Sequence, residues 1–194
     1  MTVDFTLDEI TESLSDLDLA ILHLLHAGGN SAVRGDVIFQ KELFLIGNCI
    51  ERIGDEADFV PHLFGPYSES AEVALDGLVS LGLVRRSEGG YTLTPEGMSA
   101  WEKVCSAFPP EESEAIDDFK EFLNDLSVDE VLLFVYVTYP EYAHESRRLR
   151  KIQQRRAPLS ASLYRKVSLE KAVFLAGMNI ESYLDYLRGC PDRV

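Results

Sequence analysis

The densest chemistry in this chain is a run of cations, Arg147, Arg148, Arg150, Lys151, Arg155 and Arg156, with Gln153 and Gln154 between them. Closely spaced Arg and Lys neutralise phosphates and release counterions, so binding through them weakens steeply as salt rises. Arg85 and Arg86, beside Glu88, form a second and smaller basic site. Opposite in sign, Glu69, Glu72 and Asp76 follow i, i+3, i+7 spacing and so share one helical face. A carboxylate on a groove-bound helix can accept from cytosine, but that helix also needs Arg or Lys for the phosphates. None occurs from Ser68 to Leu81. Such a face is either solvated or a surface for a basic protein partner.

Other constellations are weaker. His23 and His26 have i, i+3 spacing, but zinc needs three or four ligands and no nearby Cys, Asp or Glu motif completes the set. Core or helix-end positions are therefore expected for both histidines. No Gly-rich phosphate loop follows a strand pattern, and Ser, His and Asp are too dispersed for a triad. The expectation is a non-enzymatic protein with no catalytic residue, no cofactor and no metal.

The net charge of −15 hides a division. Residues 1–138 hold 27 acids against 7 bases, net −20, and residues 139–194 hold 6 acids against 11 bases, net +5. A basic tail on an acidic body suggests an anionic partner, such as double-stranded DNA. Two quieter readings compete. The basic segment can pack on the acidic body through ion pairs worth little each. The acid excess, with Arg outnumbering Lys 12 to 6, also suits a surface adapted to high salt. Met1 to Glu12 lacks a basic region followed by a long apolar run, and Val131 to Val137 is too short to span a bilayer. A cytoplasmic location without membrane contact is expected. The three cysteines, Cys49, Cys105 and Cys190, fit reduced and mostly buried thiols.

The elements that position these residues follow from periodicity. A helix over 15–27 has Ser15 or Asp16 as cap, Leu17, Ile21, Leu24 and Leu25 on one face, and Gly28-Gly29 as its stop. Phe39, Leu43, Ile46, Ile50 and Ile53 form the stripe of a second helix ending at Gly54. Phe59 to Phe64 reads as a strand whose Pro61 confines it to an edge. Gly65-Pro66-Tyr67 then turns the chain into a helix capped by Ser68, with Ala71, Leu75, Leu78 and Leu81 inward.

Residues 83–94 form a hairpin around Ser87-Glu88-Gly89-Gly90, and 96–108 a helix with Met98, Trp101, Cys105 and Phe108 on one side. Pro109-Pro110-Glu111-Glu112 reads as a linker. A helix with Ile116, Phe119, Leu123 and Leu126 follows, then a very apolar one from Asp129 to about Tyr139, broken by Pro140. The aromatic positions Phe119, Phe122, Phe134, Tyr136, Tyr139 and Tyr142 suit a core or a dimer surface.

Phe39-Gln40-Lys41-Glu42-Leu43-Phe44-Leu45, then Phe64-Gly65-Pro66-Tyr67-Ser68 and Gly82-Leu83-Val84, resemble a group of uncharacterised prokaryotic winged-helix proteins. The antitoxin domain called Panacea is a more distant likeness, through its Gln-Lys-Leu-Leu helix and Gly-Pro turn. Phe39 stands where that pattern has Leu. Ser168-Leu169-Glu170-Lys171-Ala172 through Leu175-Ala176-Gly177-Met178, with Asn179 as a cap, is similar to the helix-turn-helix of small antitoxin-like proteins. These resemblances imply regulation or antitoxin-like binding, not a reaction.

The sequence thus predicts a mainly α protein with a small β hairpin. A winged helix-turn-helix domain would span 15–108, and a helical C-terminal region 109–194. The expected function is that of a winged-helix transcription regulator or antitoxin-type protein, forming a homodimer. Arg147, Arg148, Arg150, Lys151, Arg155 and Arg156, with Arg85 and Arg86, would contact DNA. The alternative is a protein–protein adaptor that uses Glu69, Glu72 and Asp76 without nucleic acid.

Overall fold

A computed structural model describes residues 6–166; the antitoxin-like segment from Ser168 onward, with Cys190, lies outside the described residues. The helices are α1 (Leu7–Glu12), α2 (Asp16–Asn30), α3 (Gly35–Cys49), α4 (Glu51–Ala57), α5 (Glu69–Ser80), α6 (Pro95–Val104), α7 (Pro110–Asn124), α8 (Val128–Thr138), α9 (Leu149–Gln154) and α10 (Arg156–Lys166). The strands are β1 (Val60–His62), β2 (Gly65–Tyr67), β3 (Val84–Ser87) and β4 (Gly90–Leu93). The fold is mainly helical with two small antiparallel hairpins, β1–β2 and β3–β4. Among the described residues, no helix is long and apolar enough to cross a membrane.

The chain forms two compact units. The first holds the described residues up to Asp58 together with Ser68–Glu121; the second holds Phe59–Tyr67 and the described residues from Phe122. This partition differs from the division at 108/109 suggested by Pro109-Pro110. Pro110 is the first residue of α7, where proline's fixed φ is compatible with a helix start, and Ile116 and Phe119 are buried.

In the first unit, the Ser15 hydroxyl accepts from the Asp18 N–H, and the Asp18 carboxylate accepts from the Ser15 N–H, closing a capping box. Leu17, Ile21, Leu24 and Leu25 are buried as their spacing requires. Regular helix ends where Gly28 and Gly29 take φ of 63° and 69°. The stripe from Phe39 to Ile53 does not run through one helix. Ile50 is extended (φ −120°, ψ 96°) and separates α3 from α4. Gly54 lies inside α4, where a Cβ would stand 2.4 Å from the Gly47 carbonyl oxygen, and it serves close packing rather than termination.

Ser68 caps α5, burying Ala71, Leu75 and Leu78. Leu81 is 42% exposed because it is the C-cap, beyond the helix's last inward turn. The β3–β4 hairpin pairs Val84 with Leu93 and Ser87 with Gly90. Val33, between α2 and α3, adds an antiparallel bridge to Tyr91, each N–H donating to the other's carbonyl at 3.0 and 2.9 Å. Thr94 then caps α6. Trp101 and Phe108 are buried, but the chain tightens into a 3-10 turn at Cys105–Ala107, which carries Cys105 outward. Cys49, at the end of α3, is also exposed, so neither described cysteine is buried.

In the second unit, the expected Gly-Pro turn is itself a strand, with Val60 opposite Tyr67, Pro61 opposite Pro66 and His62 opposite Gly65. A two-stranded hairpin has only edges, so it tolerates both prolines. Tyr142 donates to the Phe59 carbonyl at 3.4 Å, and the Arg147 N–H to the Leu63 carbonyl at 3.0 Å. Ser127 caps α8, which buries Glu130 through Tyr136 and ends before Pro140. Phe122 and Phe134 meet edge to face at 5.1 Å. Phe119 is core in the first unit, and Phe122, Phe134 and Tyr136 in the second.

Candidate interaction surfaces

The acidic face of α5 rests on a buried anchor. The Ser68 hydroxyl accepts from the Ala71 N–H at 2.9 Å and donates to the Ala57 carbonyl. Gln40 of α3 holds the same residue, its Oε1 accepting from the Ser68 N–H at 2.8 Å and its Nε2 donating to the Ser68 carbonyl at 3.0 Å. The start of α5 is thereby fixed, and Glu69, Glu72 and Asp76 all emerge exposed. Val73, 65% exposed, lies among them.

The two hairpin cations differ. Arg86 donates to Asp76 at 2.8 Å and lies 5.2 Å over the Tyr91 ring. Tyr91 in turn donates to Asp36 of α3. Burial, reinforced by the Asp36 hydrogen bond and charge, pushes the Tyr91 phenol up to about 12. Arg85 is exposed and reaches Thr92 across the hairpin at 3.5 Å. In the sequence, Asp76 and Arg86 belong to separate candidate surfaces. Their pairing depends on the hairpin folding back beside α5, which no local spacing encodes.

In the second unit, three of the six expected cations converge on one carboxylate. Asp129 lies 3.2 Å from Arg148 Nη1, 3.6 Å from Lys151 Nζ and 2.5 Å from Arg155 Nη1. Arg147 and Arg150 are exposed outside this cluster, and Arg156 is half-buried. The next residue, Glu130, accepts from Lys166 at 2.8 Å. Burial alone would raise the Glu130 carboxyl, but hydrogen bonds from Lys166, Ser162 and Ser127 outweigh it and hold it at about 2. Asp129 was legible only as the start of α8. Its role as a hub arises from the packing of α9 against that helix.

Buried polar groups sit inside the first unit. Glu42 Oε2 stands 3.9 Å from Lys120 Nζ, and neither atom has a hydrogen-bond partner. Burial pushes the Glu42 carboxyl up to about 7 against the pull of Lys120 and Arg34, and pushes the Lys120 ammonium down. Burial also takes Lys41 down to about 7. The signal was the all-round apolar character of α3: Ile38, Phe39, Leu43, Phe44, Leu45 and Ile46 leave no solvent face for Gln40, Lys41 and Glu42. His23 is buried against Trp101 at 4.4 Å and Phe108 at 5.3 Å, with Asp117 3.6 Å from its Nε2. His26 also stacks on Trp101, at 5.3 Å. Among the described residues, no group of three or more His, Cys, Asp or Glu side chains is placed to hold a metal ion.

No protein-family model, curated protein or solved structure matches this chain.

Proposed function

We propose that the first unit is a winged helix in a non-enzymatic regulatory or antitoxin-like protein, and that its α5 face binds a basic segment of a protein partner. Support for the winged helix comes from the order of elements in the first unit, α2, Val33, α3, α4, α5, the β3–β4 hairpin and α6, with Val33 adding an isolated antiparallel bridge to Tyr91. The observation that carries the partner reading is the Asp76–Arg86 pair. It neutralises a hairpin cation that a DNA reader would aim at phosphate, while Glu69 and Glu72 remain on the α5 surface. A second copy of this chain would bring acids against acids at this face, so a partner rich in Arg or Lys suits it better.

The test is retention of a protein partner from cell extract by the parent chain and by a Glu69→Lys, Glu72→Lys, Asp76→Lys variant. The expected outcome is a partner held by the parent, released by salt and lost in the variant. Equal retention by both proteins would rule out the α5 face.

A second reading, DNA contact through the basic segment, is favoured by the outward position of Arg147 and Arg150 and by the excess of cations around Asp129. Under this reading the second unit supplies sequence-independent backbone affinity and the first unit supplies the protein contact.

A further inference from the structure

We propose that Asp129 gathers Arg148, Lys151 and Arg155 into one site for a phosphate group of a nucleic-acid backbone; this rests on the second reading above. The chain has 33 acids against 18 bases, yet here three cations share one carboxylate. Among the described residues, two positive charges of this cluster are left unbalanced, and cations drawn this close repel one another unless a further anion arrives. The Asp129 side chain is only 14% exposed, whereas those of Arg148, Lys151 and Arg155 are 38%, 52% and 51% exposed. The carboxylate therefore holds the cluster from the inside and leaves an outer side to solvent.

Each guanidinium commits one terminal nitrogen to Asp129. Its remaining N–H donors form the fork that matches a pair of phosphate oxygens. Asp129 is the second residue of α8, whose start is fixed by the Ser127–Glu130 capping box, so the hub is held on a rigid element. Arg147 and Arg150, both exposed and next in sequence to Arg148 and Lys151, add positive charge beyond what a single phosphate needs. That extension favours a nucleic-acid backbone over an isolated phosphoryl group. Asp129 is a positioning residue: it adds negative charge to the site but sets where the three cations stand.

The experiment measures fluorescence anisotropy of a short labelled duplex of random sequence, titrated with the full chain from low to moderate salt. The parent is expected to bind in a salt-dependent manner. Replacing Arg148, Lys151 and Arg155 together by Gln should reduce the steepness of log affinity against log salt by roughly 0.9, the release expected for one phosphate contact. Asp129→Asn should weaken binding by about threefold, the loss of ordering worth one exposed ion pair. A simple charge account expects the opposite, since this change removes a negative charge. Circular dichroism confirms that each variant is folded, and Arg155→Lys, which keeps the charge but loses the fork, should fall between the parent and the triple variant. Tighter binding by Asp129→Asn would overturn the positioning role. Loss of binding only on changing Arg147 and Arg150 would overturn the site while leaving the DNA reading intact. No binding by the parent would overturn both. A phosphoserine peptide that displaces the duplex more effectively than unlabelled duplex would overturn the assignment to nucleic acid.

Discussion

Arg86 donates to Asp76 at 2.8 Å from the strand that follows α5, with the same guanidinium 5.2 Å above the Tyr91 ring. Both side chains are about half exposed, so the pair contributes little stability, on the order of 0.2–1 kcal/mol. Its consequence is electrostatic. The hairpin turns a cation back onto its own helix, and the surface left beside it is acidic. Tyr91, tied to Asp36 and bridged to Val33, keeps the strand that carries this geometry in place.

The α3–α5 junction should be costly to disturb. Gln40→Ala would leave the buried Ser68 N–H without its partner, whereas the Ser68 carbonyl keeps the Glu72 N–H at 3.3 Å, a loss of about 1–3 kcal/mol. Ser68→Ala, which removes an N-cap, should cost about 1–2 kcal/mol. Urea unfolding checks both, and because the two residues touch, their effects should not add.

The Glu42–Lys120 pair sits in the core at 3.9 Å with unsatisfied atoms. Lys120→Met alone should destabilise by about 3–5 kcal/mol, because it leaves Glu42 buried without its partner. Glu42→Leu with Lys120→Met should recover most of that loss. A double-mutant cycle by chemical denaturation measures the difference.

Gly90 has φ of +117°, and a Cβ there would stand 1.9 Å from the Val33 carbonyl oxygen. Gly90→Ala should therefore break the Val33–Tyr91 bridge and cost about 2 kcal/mol or more. Amide hydrogen exchange at Val33 and Tyr91 should rise above the exchange of the α2 core.

Acid stability of the second unit should follow Glu130. Its folded value of about 2 lies below the ordinary carboxylate value of 4.5, so the stabilisation is full above about 4.5 and is lost as pH falls toward 2. Melting temperature measured from pH 6 to pH 2 should drop across that window. In Lys166→Met the drop should be shallower, since one of the hydrogen bonds that lowers the carboxyl is gone.

Local signals carried much of this fold. Ser15 and Ser68 announced helix starts, Gly28-Gly29 and Pro140 announced ends, and Ser87 to Gly90 turned the hairpin, because caps and turns depend on neighbours in sequence. What spacing misjudged was set by distant packing. Ile50 interrupts a stripe that looks continuous, Gly65-Pro66-Tyr67 pairs as a strand, and Pro110 opens a helix rather than a linker. The acidic face and the basic run were visible as residues. That Arg86 answers Asp76, and that Asp129 draws in Arg148, Lys151 and Arg155, required the tertiary structure.

The proposed role of α5 is that of a protein-binding face. Its most direct test is an amide chemical-shift map of the chain titrated with a helical peptide rich in Arg and Lys. Saturable shifts at Glu69, Glu72, Val73 and Asp76, abolished by Glu69→Lys, Glu72→Lys and Asp76→Lys together, are expected. Shifts that spread over the acidic surface without saturating, or that persist in that variant, would contradict it.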